Sequence, residues 1–170
     1  MLTVFKRLLG QSEAGVSHAP PAGKLLSLLR RYRPGLIANL QDQHKELLAL
    51  FRDLERASEQ ANASACRQAL HRFARMLEYH LALENRELYD YLLSHPEHVN
   101  PDLRPRVRMM STDMMHVGRI LQRFITAYSG PALTPEQLAQ LRRELPSIGE
   151  VLAHRIHEEE TVLYPLYAPR

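Results

Sequence analysis

The chain has 170 residues, one cysteine, no tryptophan and a formal charge of +3. That length suits one domain with a sizeable core, and abundant leucine and alanine with few glycines and aromatics favour an all-α protein. The mild positive charge is far from a nucleic-acid-binding composition, the single cysteine excludes an intrachain disulfide and fits a reducing, cytoplasmic compartment, and no apolar run reaches the roughly 18 residues of a transmembrane helix.

Residues 1–34 read as an N-terminal extension. Leu2, Phe5, Leu8 and Leu9 oppose Lys6 and Arg7 in an amphipathic start that is too short and wrongly ordered for a secretory signal. A Gly- and Pro-containing linker follows over 11–23, then a short basic helix over 24–33 that Pro34-Gly35 ends. The amphipathic start docks on its own domain or frays, or else contacts a protein partner or a membrane surface.

Residues 35–170 read as an antiparallel, up-down four-helix bundle. The first long helix spans about 35–58, with Ile37, Leu40, His44, Leu47, Phe51 and Leu54 spaced by three and four. His44 stands where a leucine is expected. Asn62 or Ser64 caps the second helix, which runs to about 93 with Phe73, Leu77, His80, Glu84 and Tyr91 on its inner face. Cys66 reads as a small core residue, without a local signature of an activated nucleophile. Pro101 and Pro105 mark the start of the third helix, whose seam is Val107, Met110, Met114, Val117, Leu121, Phe124 and Tyr128. Met109, Met110, Met114 and Met115 read as core filler. His116 falls about 100° off that seam, at its edge, and Asp113 is an alternative inward carboxylate. Thr134 caps the fourth helix with Pro135 at its first position, and Pro146 predicts a kink or two pieces joined end to end. Its seam continues through Leu141, Leu145, Ile148, Leu152, Glu159, Leu163 and Leu166, and the helix ends near Tyr164-Pro165.

Of the nine histidines, His18, His71, His95 and His98 read as linker, exposed-face or loop residues, and His157 is unassigned. The remaining four, His44, His80, His116 and His154, fall one on each long helix. His80 and Glu84 are four residues apart, so they stack on one helical face. A core-facing histidine with a core-facing glutamate is costly unless a metal, a buried cation or a hydrogen-bond network compensates. The fourth helix echoes the second: Glu84 and Glu159 are each followed four and five residues later by a Leu-Tyr pair. Matching carboxylates from different helices suit a two-metal site in a bundle core, and imidazole with carboxylate suits iron, manganese or zinc. Gly-rich phosphate loops, Gly-x-Ser-x-Gly and Cys-x-x-Cys are absent.

Gln43-His44-Lys-Glu-Leu-Leu, His80-x-x-x-Glu84-x-x-x-Leu-Tyr and the Glu-Glu-x-x-Leu-Tyr-Pro ending resemble the hemerythrin-like (HHE cation-binding) family over about 36–168. The resemblance implies a four-helix bundle with a non-haem di-iron centre, two irons per chain. It implies binding or sensing of dioxygen or nitric oxide, a stress response, or iron handling, rather than turnover of an organic substrate. His44, His80 and Glu84 fall on the family's ligand positions. His116, His154 and Glu159 (or Glu158) complete the expected metal set. Two departures stand out. Only one histidine, His116, is available on the third helix, and Arg155 occupies the register where many members carry a ligand. A guanidinium there could bridge Glu84 and Glu159 without metal. The alternative is therefore a metal-free bundle acting as an interaction or regulatory module. Gln43, Asp113 and Tyr89 are the expected supports for the histidines.

Overall fold

The computed structural model describes residues 32–95 and 99–167. The amphipathic start, the linker and the basic segment of the N-terminal extension fall outside the described residues, apart from its end at Tyr32 to Pro34. Helix α1 is Leu36–Glu59. Helix α2 is α-helical over Ala63–Leu83, π-helical over Glu84–Tyr89 and α-helical again over Asp90–Ser94. A 3-10 turn, Pro101–Leu103, leads into α3, Arg104–Ala127. Helix α4 is Pro135–Glu158, continued by a π turn, Glu159–Leu163, and a 3-10 turn, Tyr164–Leu166.

The helix ends follow their local chemistry. The Asn62 side chain accepts from the Ala65 amide (2.9 Å) and starts α2. Thr134 and Gln137 form a reciprocal capping box at the start of α4, with Pro135 beside it. Pro146 sits at an exposed position within an uninterrupted Pro135–Glu158 helix, so of the two expectations, a kink or two pieces joined end to end, the division into two pieces does not occur.

The four helices pack antiparallel around one core. His44 faces His80 and Phe51 meets Phe73 edge-on, with ring centroids 5.7 Å apart, which sets α1 against α2. Phe51 also covers Gly149 of α4; a Cβ there would lie 3.0 Å from its ring, so the glycine permits close approach of the two helices. The interior is Leu40, Leu47 and Leu54 of α1, Leu70, Phe73 and Leu77 of α2, Val107, Met110, Met114, Leu121 and Phe124 of α3, and Leu141, Leu145, Ile148 and Leu152 of α4. Cys66 is fully buried. The methionine expectation holds for Met110 and Met114 only, since Met109 and Met115 lie 57% and 39% exposed on the outer side of α3. At the end of the bundle where α1 begins, the Arg33 amide donates to the Tyr167 hydroxyl (2.7 Å), Tyr32 stacks on Tyr167, and the Arg33 guanidinium pairs with Glu87 (3.1 Å).

Candidate metal centre

Helix α1 carries Gln43 and His44 on its buried face, and α2 carries His80 and Glu84 on its own. At Glu84 and again at Glu159, α-helix gives way to a π turn. The Asp90 amide bonds to the Asn85 carbonyl and the Tyr164 amide to the Glu159 carbonyl, both i to i+5. In an α-helix, the residue five positions on is rotated about 140° away from the first. The wider turn lets both members of each Leu-Tyr pair face inward: Leu88 and Tyr89, Leu163 and Tyr164 are all buried. The repeated Glu…Leu-Tyr spacing is thus a repeated structural device, and such π turns occur often at functional sites.

Three donor atoms converge. Nε2 of His44 lies 3.0 Å from Oε2 of Glu159, and Nε2 of His80 lies 4.0 Å from the same oxygen. These buried side chains can offer ligand atoms that all lie within 4.8 Å of one another. The opposite nitrogen of each ring is occupied. Nδ1 of His44 donates to Oε1 of Glu160 (2.8 Å), and Nδ1 of His80 donates to Oε1 of Gln43 (3.1 Å). Gln43 is oriented in turn by donating to Asn39 (3.2 Å). The proton on Nδ1 of His80 leaves its Nε2 lone pair toward the centre, while Nε2 of His44 donates to Glu159 and becomes a ligand atom once it gives up that proton.

Glu84 lies beside Glu159, fully buried, and neither of its carboxylate oxygens has a hydrogen-bond partner. An orphaned buried carboxylate is costly in a folded protein and calls for a cation. Burial, then the charge of Glu159, push its carboxyl well above the usual range, while Arg155 opposes the shift. Burial alone would also raise Glu159, but the His44 hydrogen bond and the Arg155 charge hold it below the ordinary value. Burial lowers His80 to about 4, so its imidazole is neutral at pH 7. For His44, burial lowers the pKa, yet the bonds to Glu159 and Glu160 outweigh it and the net shift is upward. Two imidazoles and the Glu159 carboxylate, with Glu84 beside them, are donors that suit a divalent ion such as iron, manganese or zinc.

Arg155 points inward as its register predicts, but it does not bridge Glu84 and Glu159. Its Nε donates to Oε1 of Glu159 and its Nη2 to the Tyr89 hydroxyl. The Tyr164 hydroxyl lies 3.1 Å from Nε2 of His44.

The other expected ligands are not assembled. His154 is exposed because Leu152, Arg155 and Glu159 fill the inward positions of an unbroken helix, and a residue five before Glu159 lies about 140° away. His116 and Asp113 are exposed on the outer side of α3. The two-iron expectation drew its remaining terminal histidines from His116 and His154, and neither reaches the core. Glu158 turns out toward Arg106 (3.7 Å), which leaves Glu159 as the inward carboxylate. Among the expected supports, Gln43 serves His80, Tyr89 serves Arg155 instead of a histidine, and Asp113 serves neither. Glu160 is the functional side chain that helical phasing misses. It reaches His44 from the π turn, whose phase no α-helical pattern gives.

The fourth wall is apolar. Met114, Val117 and Leu121 of α3 close a cavity of about 10 Å³ beside His44, His80, Arg155 and Glu159. That space is close to the minimum for one water molecule. Without rearrangement the centre admits an ion or a very small ligand and no organic substrate.

Among the described residues, no helix is long and apolar enough to cross a membrane. No curated protein and no solved structure gives a significant match to the chain. The family model described as the hemerythrin HHE cation-binding domain matches residues 35–167, and the chain therefore belongs to that family.

Proposed function

We propose that the protein binds iron through His44, His80, Glu159 and Glu84, and that the bound iron senses dioxygen, nitric oxide or redox state from a core position. The observation that carries this reading is the convergence of two imidazole Nε2 atoms on Glu159 with both Nδ1 atoms anchored. The family's cation-binding character supports it, as does the orphaned carboxylate of Glu84. Iron supplies reversible one-electron and diatomic-ligand chemistry. The protein's own residues anchor Nδ1 of both imidazoles, keep bulk water out and leave one small space against the apolar wall of α3. A space of that size has no room for an iron store. We place the protein in the cytoplasm, in keeping with its buried, unpaired Cys66.

The test is iron analysis of untagged protein, with absorption spectra before and after anaerobic exposure to nitric oxide. Stoichiometric iron and a new visible band are expected. A His80→Ala, Glu84→Ala double variant should lose the iron while keeping its helical circular dichroism. Unchanged iron content in that variant would sink the assignment.

A second reading concerns the extension. Residues 1–23 would hold a protein partner, and the Arg33–Glu87 ion pair joins the end of the extension to the π turn that begins at Glu84. Deleting 1–23 should then abolish capture of that partner while leaving the bundle folded; capture unaffected by the deletion counts against it.

A further inference from the structure

We infer that the centre takes one metal ion per chain, and that the Arg155 guanidinium is a built-in cation doing the charge-balancing work of a second. The inference rests on the metal-binding reading above and concerns what limits that site.

A two-ion centre in a bundle needs carboxylates free to bridge with both oxygens, and terminal ligands on both sides. Glu159 has only one oxygen available. Oε2 faces the two histidines, while Oε1 accepts from Nε of Arg155. Arg155 is itself fixed at its other end by the Tyr89 hydroxyl and is 7% exposed, so it does not swing away into solvent. Among the described residues α3 offers no replacement ligand, because it lines the centre with Met114, Val117 and Leu121. His116 and His154 are in solvent. Charge gives the same answer. Glu84, Glu159 and Glu160 against Arg155 leave two negative charges around neutral imidazoles. One divalent ion neutralises them; two would leave an excess of two positive charges around a largely buried cluster. Arg155 comes from α4 and Tyr89 from the π turn of α2, so the guanidinium also ties the two echoing segments together.

The experiment is anaerobic loading of the full chain with iron(II), removal of excess, iron and protein quantification, and Mössbauer and electron paramagnetic resonance spectra. One magnetically isolated iron per chain is expected. Two irons per chain with spin coupling would overturn the single-ion inference and leave the metal-binding reading standing. No bound iron would overturn the metal-binding reading itself. Arg155→His removes the fixed charge and offers an imidazole; uptake is expected to rise from one ion to two, while Arg155→Lys stays at one. A folded Arg155→His protein that still takes one ion would overturn the role given to Arg155. Should that variant fail to fold, the wild-type stoichiometry and magnetism still decide.

Discussion

Glu84 is held in the core against its own solvation. Neither of its oxygens receives a hydrogen bond, and its pKa is driven up by burial and by the adjoining Glu159 carboxylate. A residue that costs stability in the metal-free protein and is repaid only on loading is the signature of a binding group. Glu84→Met, close in volume, should stabilise the metal-free protein by about 1–3 kcal/mol in urea unfolding, the usual penalty of an unsatisfied buried polar group. The same variant should bind iron(II) measurably more weakly. A loss of stability would show that the carboxylate has a partner of its own. The protonation states give a second expectation. Glu84 and His44 both have raised pKa values, so the metal-free protein binds their protons at higher pH than free side chains do. Metal requires the carboxylate and the neutral imidazole, so loading releases protons and affinity rises with pH. His80, at about 4, is already neutral at pH 7 and releases none. Calorimetric titration in buffers of different ionisation enthalpy at pH 7 should show net proton release. Buffer-independent heats would mean that both groups are already deprotonated.

The helix ends and the two π turns carry the element scale. Helix α1 ends in a Schellman motif: the Asn62 amide bonds to the Ala57 carbonyl and the Ala61 amide to that of Ser58, both at 3.1 Å. Ala61 occupies the left-handed position of that motif with φ 51°, which favours glycine. Ala61→Gly should therefore raise stability by roughly 0.5–1 kcal/mol in chemical unfolding, the relief of left-handed strain less the added chain entropy. An unchanged or lower midpoint would mean that the alanine carries no strain. The turns at Glu84 and Glu159 act differently. Each sets the phase of everything after it, so Tyr89 reaches Arg155 and Tyr164 reaches His44 from positions that a regular helix would turn away.

At the scale of the whole molecule the centre is a junction. Helix α1 contributes His44, α2 contributes His80 and Glu84, α4 contributes Glu159 and Arg155, and α3 closes the wall. An ion at this junction binds the folded state alone, so it stabilises the bundle by mass action. At a free ion concentration one hundred times the dissociation constant the gain is about 2.7 kcal/mol, or roughly 5–10 °C in melting temperature for a chain of this size. Chelation should remove that increment, and adding iron(II) back should restore it. A melting temperature indifferent to chelator and metal would show that no ion links the helices.

Periodicity was enough for the four helices, because leucine and phenylalanine at steps of three and four give an amphipathic helix only one face to bury. Asn62 and Thr134 mark their own helix starts for an equally local reason, a side-chain oxygen placed to accept a free amide. His44, His80 and Glu84 were legible because polar residues on those apolar faces need compensation, and the echo between Glu84 and Glu159 was legible as spacing. The third dimension settled the rest. The expected metal set includes His116, at the edge of its seam, and His154, yet both are exposed, because the packed neighbours Met114 and Arg155 fill the inward positions. The π turns change helical phase without any change in hydrophobic period, so the roles of Glu160, Tyr89 and Tyr164 could not be read from spacing. Arg155 was visible as a cation at a ligand register, but only packing decided which groups its guanidinium meets. A chain's local pattern sets which face of a helix turns inward; where that face meets charge from another helix depends on distances that exist only after the helices have packed.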